Sequence, residues 1–328
     1  MTGRDQEPAT AGVRRDVGSR LRFAVLGTGY WAWWCHGTVL AGRSDVDFVG
    51  FWGCDATKAD AVAARVGRGR GFTDLDVLLD AVEAVAIALP PDVQAPLAAR
   101  VAKAGKHVLL DKPLALDPVA ADEVVAAVAD SGVASLSFMT YLFQAEVAAW
   151  LDHLRELAAA HGPWEGVAVS CAGSIDTPGN PYIDSVWRRE RGGLWDWGPH
   201  ALSLVLSLLP PVERVSAVRG VRDTVHLGLE HAGGPLSSLT LTVTAPQSAQ
   251  ECVVTVWGPG GRHTLSLPTG TLREAYDRAV DQFVEAVARA SRSHPLDAAY
   301  ASRFVAVLDA AERQLARPAE QRTTAPIA

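Results

Sequence analysis

Phe23-Ala24-Val25-Leu26-Gly27-Thr28-Gly29-Tyr30-Trp31-Ala32 sets the architecture of the chain's first half. A short apolar run stops at a glycine, and a helix-length segment follows as far as Leu40, so the stretch reads as strand, tight turn, helix. In the pattern Gly-x-Gly-x-x-Ala each small residue has a physical task. Gly27 permits the turn, Gly29 lets backbone N–H groups approach a pyrophosphate, and Ala32 still allows close packing. The helix N-terminus adds the positive end of its dipole. Gly27, Thr28, Gly29, Tyr30 and Trp31 are therefore candidates for holding a dinucleotide.

Outward from this turn the alternation continues, with strands at 47–52, 84–89, 107–110 and 134–138 and helices at 57–66, 74–82, 93–104 and 118–130. The strands are nearly all apolar, as expected of parallel strands covered by helices on both faces, and Gly105 sits where a helix needs a left-handed cap. Residues 21–138 are expected to form a doubly wound parallel α/β domain. After Met139 the pattern changes. A long helix to about Ala160 precedes a strand at 167–174, a polar loop and a short helix. Strands at 212–221, 224–230, 236–245 and 252–257 then follow one another, joined by turns such as Gly233-Gly234 and Gly258-Pro259-Gly260-Gly261. Successive strands imply antiparallel pairing. Helices at 276–290 and 297–314 close an α+β second domain, 139–319, and residues 1–20 and 320–328 read as disordered tails.

Composition narrows the function. With 328 residues, 48% hydrophobic and 20% charged, the chain is neither disordered nor membrane-embedded by its arithmetic. A formal charge of −7 offers no broad attraction to a phosphate backbone or anionic lipid, so neither nucleic acid nor membrane is an expected partner. The run Ala201 to Leu209 is about half of the roughly 20 residues a transmembrane helix needs. The first twenty residues lack the apolar stretch of a secretory signal. Cys35, Cys54, Cys171 and Cys252 stand apart without a CxxC pair, so neither a zinc site nor a disulfide framework is expected and a cytoplasmic location follows.

Three places carry chemistry. An NAD-type site wants a carboxylate at the end of the second strand, to accept from the ribose hydroxyls. Here the sequence is Trp52-Gly53-Cys54-Asp55-Ala56-Thr57-Lys58, and Asp55 falls beyond the strand end. Asp55 reads either as a ribose contact or as a helix cap, and Lys58 either as a 2'-phosphate contact or as a solvated charge. NADP(H) is favoured over NAD(H). Asp111-Lys112-Pro113 follows the fourth strand of this alternation directly, so Lys112 emerges at the carboxyl edge of the sheet, where such folds bind ligands. Pro90, Asp111 and Lys112 at that edge join the cofactor candidates.

The third place is Gly192-Gly193-Leu194-Trp195-Asp196-Trp197-Gly198-Pro199-His200. With Pro199 confined to a first turn, a helix beginning near Asp196 brings Asp196 and His200 to one end and roughly one face. The bland readings are an N-cap for Asp196 and a satisfied histidine for His200. The acid at helical spacing singles out His200 as acid/base, while His36, His107, His153, His161, His226, His231, His263 and His294 lack such company and read as surface or packing residues. Trp187, Trp195 and Trp197 crowd the segment and suit either a core or the flat face of a sugar or cyclitol. Arg188, Arg189 and Arg191 read as a solvated cluster or as a grip on an acidic substituent.

Together these residues resemble the Gfo/Idh/MocA family of NAD(P)-dependent oxidoreductases, over nearly everything from Arg22 to Arg313. The resemblance rests on the Gly27 loop, on Asp111-Lys112-Pro113 against the family's Glu-Lys-Pro, and on Trp187-Arg188, Gly192-Gly193 and Asp196-x-x-x-His200. The helix carrying Asp281-Gln282-Phe283 and the His294-Pro295 approach to the last helix also look like the family. It implies a Rossmann domain followed by an α+β domain with an open-faced, largely antiparallel sheet, often used for homo-dimer or homo-tetramer contacts. It implies Lys112 as catalytic lysine, Asp196 as the acid orienting substrate or histidine, and His200 as proton donor or acceptor. It implies hydride transfer to or from a sugar, cyclitol or polyol held near Trp187, Arg188 and Trp197. Related chemistries of the same fold are an NAD-dependent glycosidase and a silent cofactor sensor. Two departures stand out. Asp111 is shorter than the family's Glu, and Met139-Thr140-Tyr141-Leu142-Phe143 lacks an arginine that many relatives carry.

Overall fold

A computed structural model describes residues 20–268, 270–289 and 292–317; apart from Arg20, the tails expected at 1–20 and 320–328, together with 318 and 319, lie outside the described residues. Its first layer is a six-stranded sheet of β1 (Leu21–Leu26), β2 (Val46–Trp52), β3 (Arg70–Phe72), β4 (Ala84–Ile87), β5 (His107–Leu110) and β6 (Ser135–Ser137). The order is β3-β2-β1-β4-β5-β6 and every pair is parallel. The order reverses between β1 and β4, which opens a crevice at their carboxyl ends. The helices between the strands are α1 (Thr38–Gly42), α2 (Ala56–Val66), α3 (Leu75–Ala81), α4 (Pro91–Lys103) and α5 (Pro118–Ser131).

The segment after the Gly27 turn differs from the expected single helix. Ala32–Gly37 is a π-helical stretch that continues into α1. A π-turn takes one residue more than an α-turn, so the side chains beyond Trp31 rotate relative to a regular helix. Gly105 adopts φ 72° after α4, the left-handed cap its place in the sequence calls for.

A turn at Thr140–Phe143 leads into α6 (Ala145–His161) and the second sheet. Its strands are β7 (Gly166–Ala172), β8 (Val212–Arg219), β9 (Val225–His231), β10 (Leu236–Thr242), β11 (Glu251–Gly258) and β12 (Gly261–Ser266), in the order β12-β11-β7-β10-β9-β8. Pairing is antiparallel except between β7 and β10, which run parallel at the centre. Helices α7 (Val186–Asp196) and α8 (Gly198–Val205) interrupt the run after β7, so the meander β8-β9-β10 returns to β7 from the far side.

The cysteine reading needs correction: Cys171 and Cys252 form a disulfide. They are directly opposed in the β7–β11 register with Cα atoms 4.1 Å apart, a proximity that their separation of 81 residues conceals. Cys35 is buried and free, and Cys54 is exposed and free. No described helix is long and apolar enough to cross a membrane.

Two final helices, α9 (Leu272–Ala288) and α10 (Ala298–Ala316), pack back toward the first layer. Phe283 of α9 meets Phe23 at a ring separation of 5.6 Å, and Tyr276 meets Phe138 at 5.1 Å. The core beneath the Gly27 turn thus combines residues from both ends of the chain.

Candidate active site

The Gly27 loop forms as its sequence requires. Gly27 has φ +129°, and a Cβ there would lie 2.5 Å from the Ala88 carbonyl oxygen, so β1 and β4 approach too closely for any side chain. A Cβ on Gly29 would meet nothing within 4 Å, because Gly29 faces an open cavity. That cavity, about 890 Å³, is shared by Gly29, Tyr30, Trp31, Pro90, Asp111, Lys112, Trp187, Arg188, Asp196, Trp197 and His200. It brings together the turn, the carboxyl edge of the first sheet and the segment that crosses from the second. A bare backbone at the mouth of a crevice fits a dinucleotide pyrophosphate, and Gly29, Tyr30 and Trp31 of the turn are the residues that would hold it.

At the end of β2 the expected carboxylate has no room. A Cβ on Gly53 would lie 2.7 Å from the Thr28 methyl group. Asp55 caps α2, accepting a hydrogen bond from the Lys58 backbone N–H at 3.1 Å. The Lys58 ammonium is exposed and stands 3.9 Å from Asp55.

Lys112 follows β5 and reaches across the cavity. Its Nζ donates to Asp196 Oδ1 at 2.8 Å and to the Asp196 carbonyl oxygen at 2.7 Å. Behind it, a buried amide holds the turn. Gln94 Oε1 accepts from the Asp111 N–H at 3.0 Å, while Nε2 donates to the carbonyl oxygens of Asp111 and Pro113, both at 2.9 Å. Asp111 Oδ1 accepts the Lys112 N–H at 2.7 Å, and Oδ2 lies 3.4 Å from Nε2 of fully buried His36. His36 therefore does have an acid beside it, contrary to the reading of the sequence; the π-helical turn delivers the ring there.

Asp196 does not begin a helix or cap one, as the spacing suggested. It ends α7, and α8 starts at Gly198 with Pro199 in its first turn. Within α7 the chain bends at Gly192, with φ 59° and ψ −161°, where a side chain would be strained. The bend frees the Asp196 carboxylate to take Lys112 and, at 3.3 Å, Arg188. Burial opposes ionisation of Asp196, but the Lys112 and Arg188 cations outweigh it and hold the carboxyl well below the usual range. Burial, with the Lys112 cation next, lowers His200 well below its ordinary pKa while Asp196 pulls the other way. The ring is a neutral imidazole near pH 7, with Nδ1 buried and unpartnered. Its neighbours are Tyr141 and Trp197, at ring separations of 5.2 and 5.7 Å.

The remaining candidates separate. Trp187 and Trp197 line the cavity, whereas Trp195 is wholly buried and belongs to the core. The arginines are not a free cluster: Arg189 pairs with Asp176 and Arg191 with Glu312, each at 3.1 Å, while Arg188 lies over the rings of Tyr182 and Trp187. Gln94, His36, Tyr141 and Tyr182 escaped the sequence reading, since each acts through contacts with distant elements.

The crevice thus has a glycine turn on one wall and a lysine, an acid and a neutral histidine on the other. Residues 21–138 match the oxidoreductase family GFO_IDH_MocA, with its NAD-binding Rossmann fold. The first domain is thus similar to the NAD-binding domain of the Gfo/Idh/MocA oxidoreductases. It is 37% identical over 99 residues to an uncharacterized oxidoreductase, ORF334, of Rhizobium meliloti, a match that spans 30% of each chain. It is 27% identical over 257 residues, 75% of each chain, to dTDP-3,4-didehydro-2,6-dideoxy-alpha-D-glucose 3-reductase of Streptomyces antibioticus. The fold superposes on the crystal structure of GenD2 from gentamicin A biosynthesis, in complex with NAD, with a TM-score of 0.80. That match has 24% identity and covers 96% of this chain and 97% of the other.

Proposed function

We propose that the protein transfers a hydride between a nicotinamide cofactor and the hydroxyl or keto carbon of a sugar, cyclitol or related polyol. The observation that carries this reading is the meeting of Lys112, Asp196 and His200 in the cavity onto which Gly29 opens. When bound, the nicotinamide supplies or accepts the hydride. The chain's own residues manage the proton and the charge. His200, neutral near pH 7, accepts the proton of a carbinol on Nε2, since Nδ1 is shut off from the cavity, and returns it in the reductive direction. Lys112 stabilises the oxygen as negative charge develops. Asp196 keeps that ammonium aimed.

NADP(H) is the favoured cofactor, because Gly53 and Thr28 leave no place for a ribose-binding carboxylate and Asp55 already serves as a helix cap. The substrate is uncharged or amine-bearing. Both lining cations, Lys112 and Arg188, are engaged by Asp196, and Asp184 and Glu190 flank Trp187 and Arg188 in the same segment, which disfavours an anionic substituent on the substrate. The exposed face of the second sheet, with Val218, Leu236 and Trp257, is the face for self-association into a dimer or tetramer. Titration with NADPH and NADH, followed by absorbance turnover against a panel of polyols and keto sugars, tests the reading. Absence of cofactor binding overturns it, and sugar release without net change in nicotinamide absorbance would assign a glycosidase instead.

A further inference from the structure

Asp223 belongs to no motif and does not line the cavity, yet it is the most heavily bonded carboxylate among the described residues. It sits in the turn between β8 and β9. Its Oδ2 accepts the N–H groups of Gly193 and Val243, each at 2.8 Å. Its Oδ1 accepts the Thr242 hydroxyl at 2.6 Å, the Thr244 N–H at 3.3 Å and also the Thr244 hydroxyl.

These partners come from two places. Gly193 belongs to the bend in α7, and Thr242, Val243 and Thr244 form the exit of β10. The two are pressed together without spare room. A Cβ on Gly193 would lie 2.6 Å from the Thr242 backbone, and one on Gly192 would lie 2.9 Å from the Asp223 Cβ. The Gly193 carbonyl in turn accepts the Trp197 N–H at 3.0 Å, and the Asp196 carbonyl accepts Lys112 Nζ. Backbone hydrogen bonds thus run from Asp223 through the bend to the residue that meets the lysine.

We infer that Asp223 is the positioning residue of this site, holding the Gly192–Gly193 bend against the β10 exit so that Asp196 is aimed at Lys112. The inference rests on the proposed roles of Lys112 and Asp196. Only a group that accepts on both oxygens serves all five donors. An amide in its place keeps one accepting oxygen for Gly193 and Val243, and the two threonine hydroxyls rotate to accept from its NH2. An alanine keeps nothing.

The test needs neither substrate nor cofactor. The chain has four lysines, at 58, 103, 106 and 112, and an acylating reagent with mass-spectrometric readout reports each separately. In the native protein Lys112 is expected to label slowly, being 10% exposed and tied to Asp196. Asp223→Ala is expected to raise Lys112 labelling about tenfold, the scale of losing hydrogen bonds to a charged group, with Asp223→Asn in between. Asp196→Asn gives the upper reference. Labelling of Lys106, bonded to the Val82 carbonyl, stays constant and shows that the first layer has survived, and an unchanged circular-dichroism spectrum and urea midpoint show the same of the second. Unchanged Lys112 labelling in folded Asp223→Ala overturns the inference. If that variant does not fold, Asp223→Asn decides on the same two lysines, and failure of both to fold makes Asp223 a residue of the global fold and overturns it equally. NADPH titration of the native protein stands apart: its failure would sink the proposed function and leave the labelling result unexplained by it.

Discussion

Lys112 and Asp196 are separated by 84 residues, and Lys112 Nζ lies 2.8 Å from Asp196 Oδ1 and 2.7 Å from its carbonyl oxygen. One follows the fifth strand of the parallel sheet; the other ends a helix laid against β10 of the second. Neither charge is well solvated, so each depends on the other, and Arg188 makes the acid a partner to two cations.

Replacing Lys112 by Met, or His200 by Asn, is expected to lower kcat by at least about 100-fold, the low end of what a positioned proton-transfer group contributes. Cofactor affinity, carried by the glycine turn, stays near that of the native protein. Steady-state rates with the substrate identified from the panel, beside a fluorescence titration with NADPH, check both halves. Full turnover in His200→Asn would remove its assigned role.

Stability at mildly acid pH should report on His200. Burial and the Lys112 cation depress its folded pKa far below 6.5. The unfolded chain therefore binds the extra proton as pH falls below about 6.5, and the folded chain does not. The stabilisation is fully present above that pH and is lost on acidification, by up to about 1.4 kcal/mol per pH unit. Urea midpoints measured from pH 7.5 to 5 should fall more steeply for the native protein than for His200→Asn. His294, also lowered by burial, contributes with the same sign to both and cancels.

The two glycines of the turn should separate stability from binding. Gly27→Ala places a methyl group against the Ala88 carbonyl at a positive φ and should cost about 1–3 kcal/mol or more of stability as well as cofactor binding. Gly29→Ala adds a methyl group to open space, leaves the thermal midpoint unchanged and weakens NADPH binding alone. Thermal melts with and without NADPH distinguish them.

Gln94→Leu should destabilise the protein by about 1–3 kcal/mol, since the carbonyl groups of Asp111 and Pro113 lose a buried donor and the Asp111 N–H loses its acceptor. Because that turn carries Lys112, kcat should fall as well. Urea unfolding at constant pH and the rate assay are the two measurements.

Much of this is legible in the amino-acid sequence. The apolar runs around Gly27 and before Asp111 announce parallel strands because such strands are buried on both faces, and the glycine spacing is local. Edge strands are harder. β3 is three residues of Arg-Gly-Phe, and β12 is mostly exposed, so neither shows an apolar run. The bend at Gly192 and the pairing of Cys171 with Cys252 depend on register between distant strands. Gln94, His36 and Asp223 are the sharpest case. Their partners lie mostly on other elements, and propensity and periodicity carry no information about side chains that bond across elements.

The packing of α9 has a consequence for how the molecule is made. Phe23 and Phe138 are synthesised early, yet the rings that close over them, Phe283 and Tyr276, belong to a helix near the end of the described chain. During translation the first sheet emerges with that apolar face open, and it stays open until α9 has left the ribosome. Completion of the cofactor layer is thus a late event, and a nascent chain halted after Ser266 would present both sheets and a sticky, uncovered core.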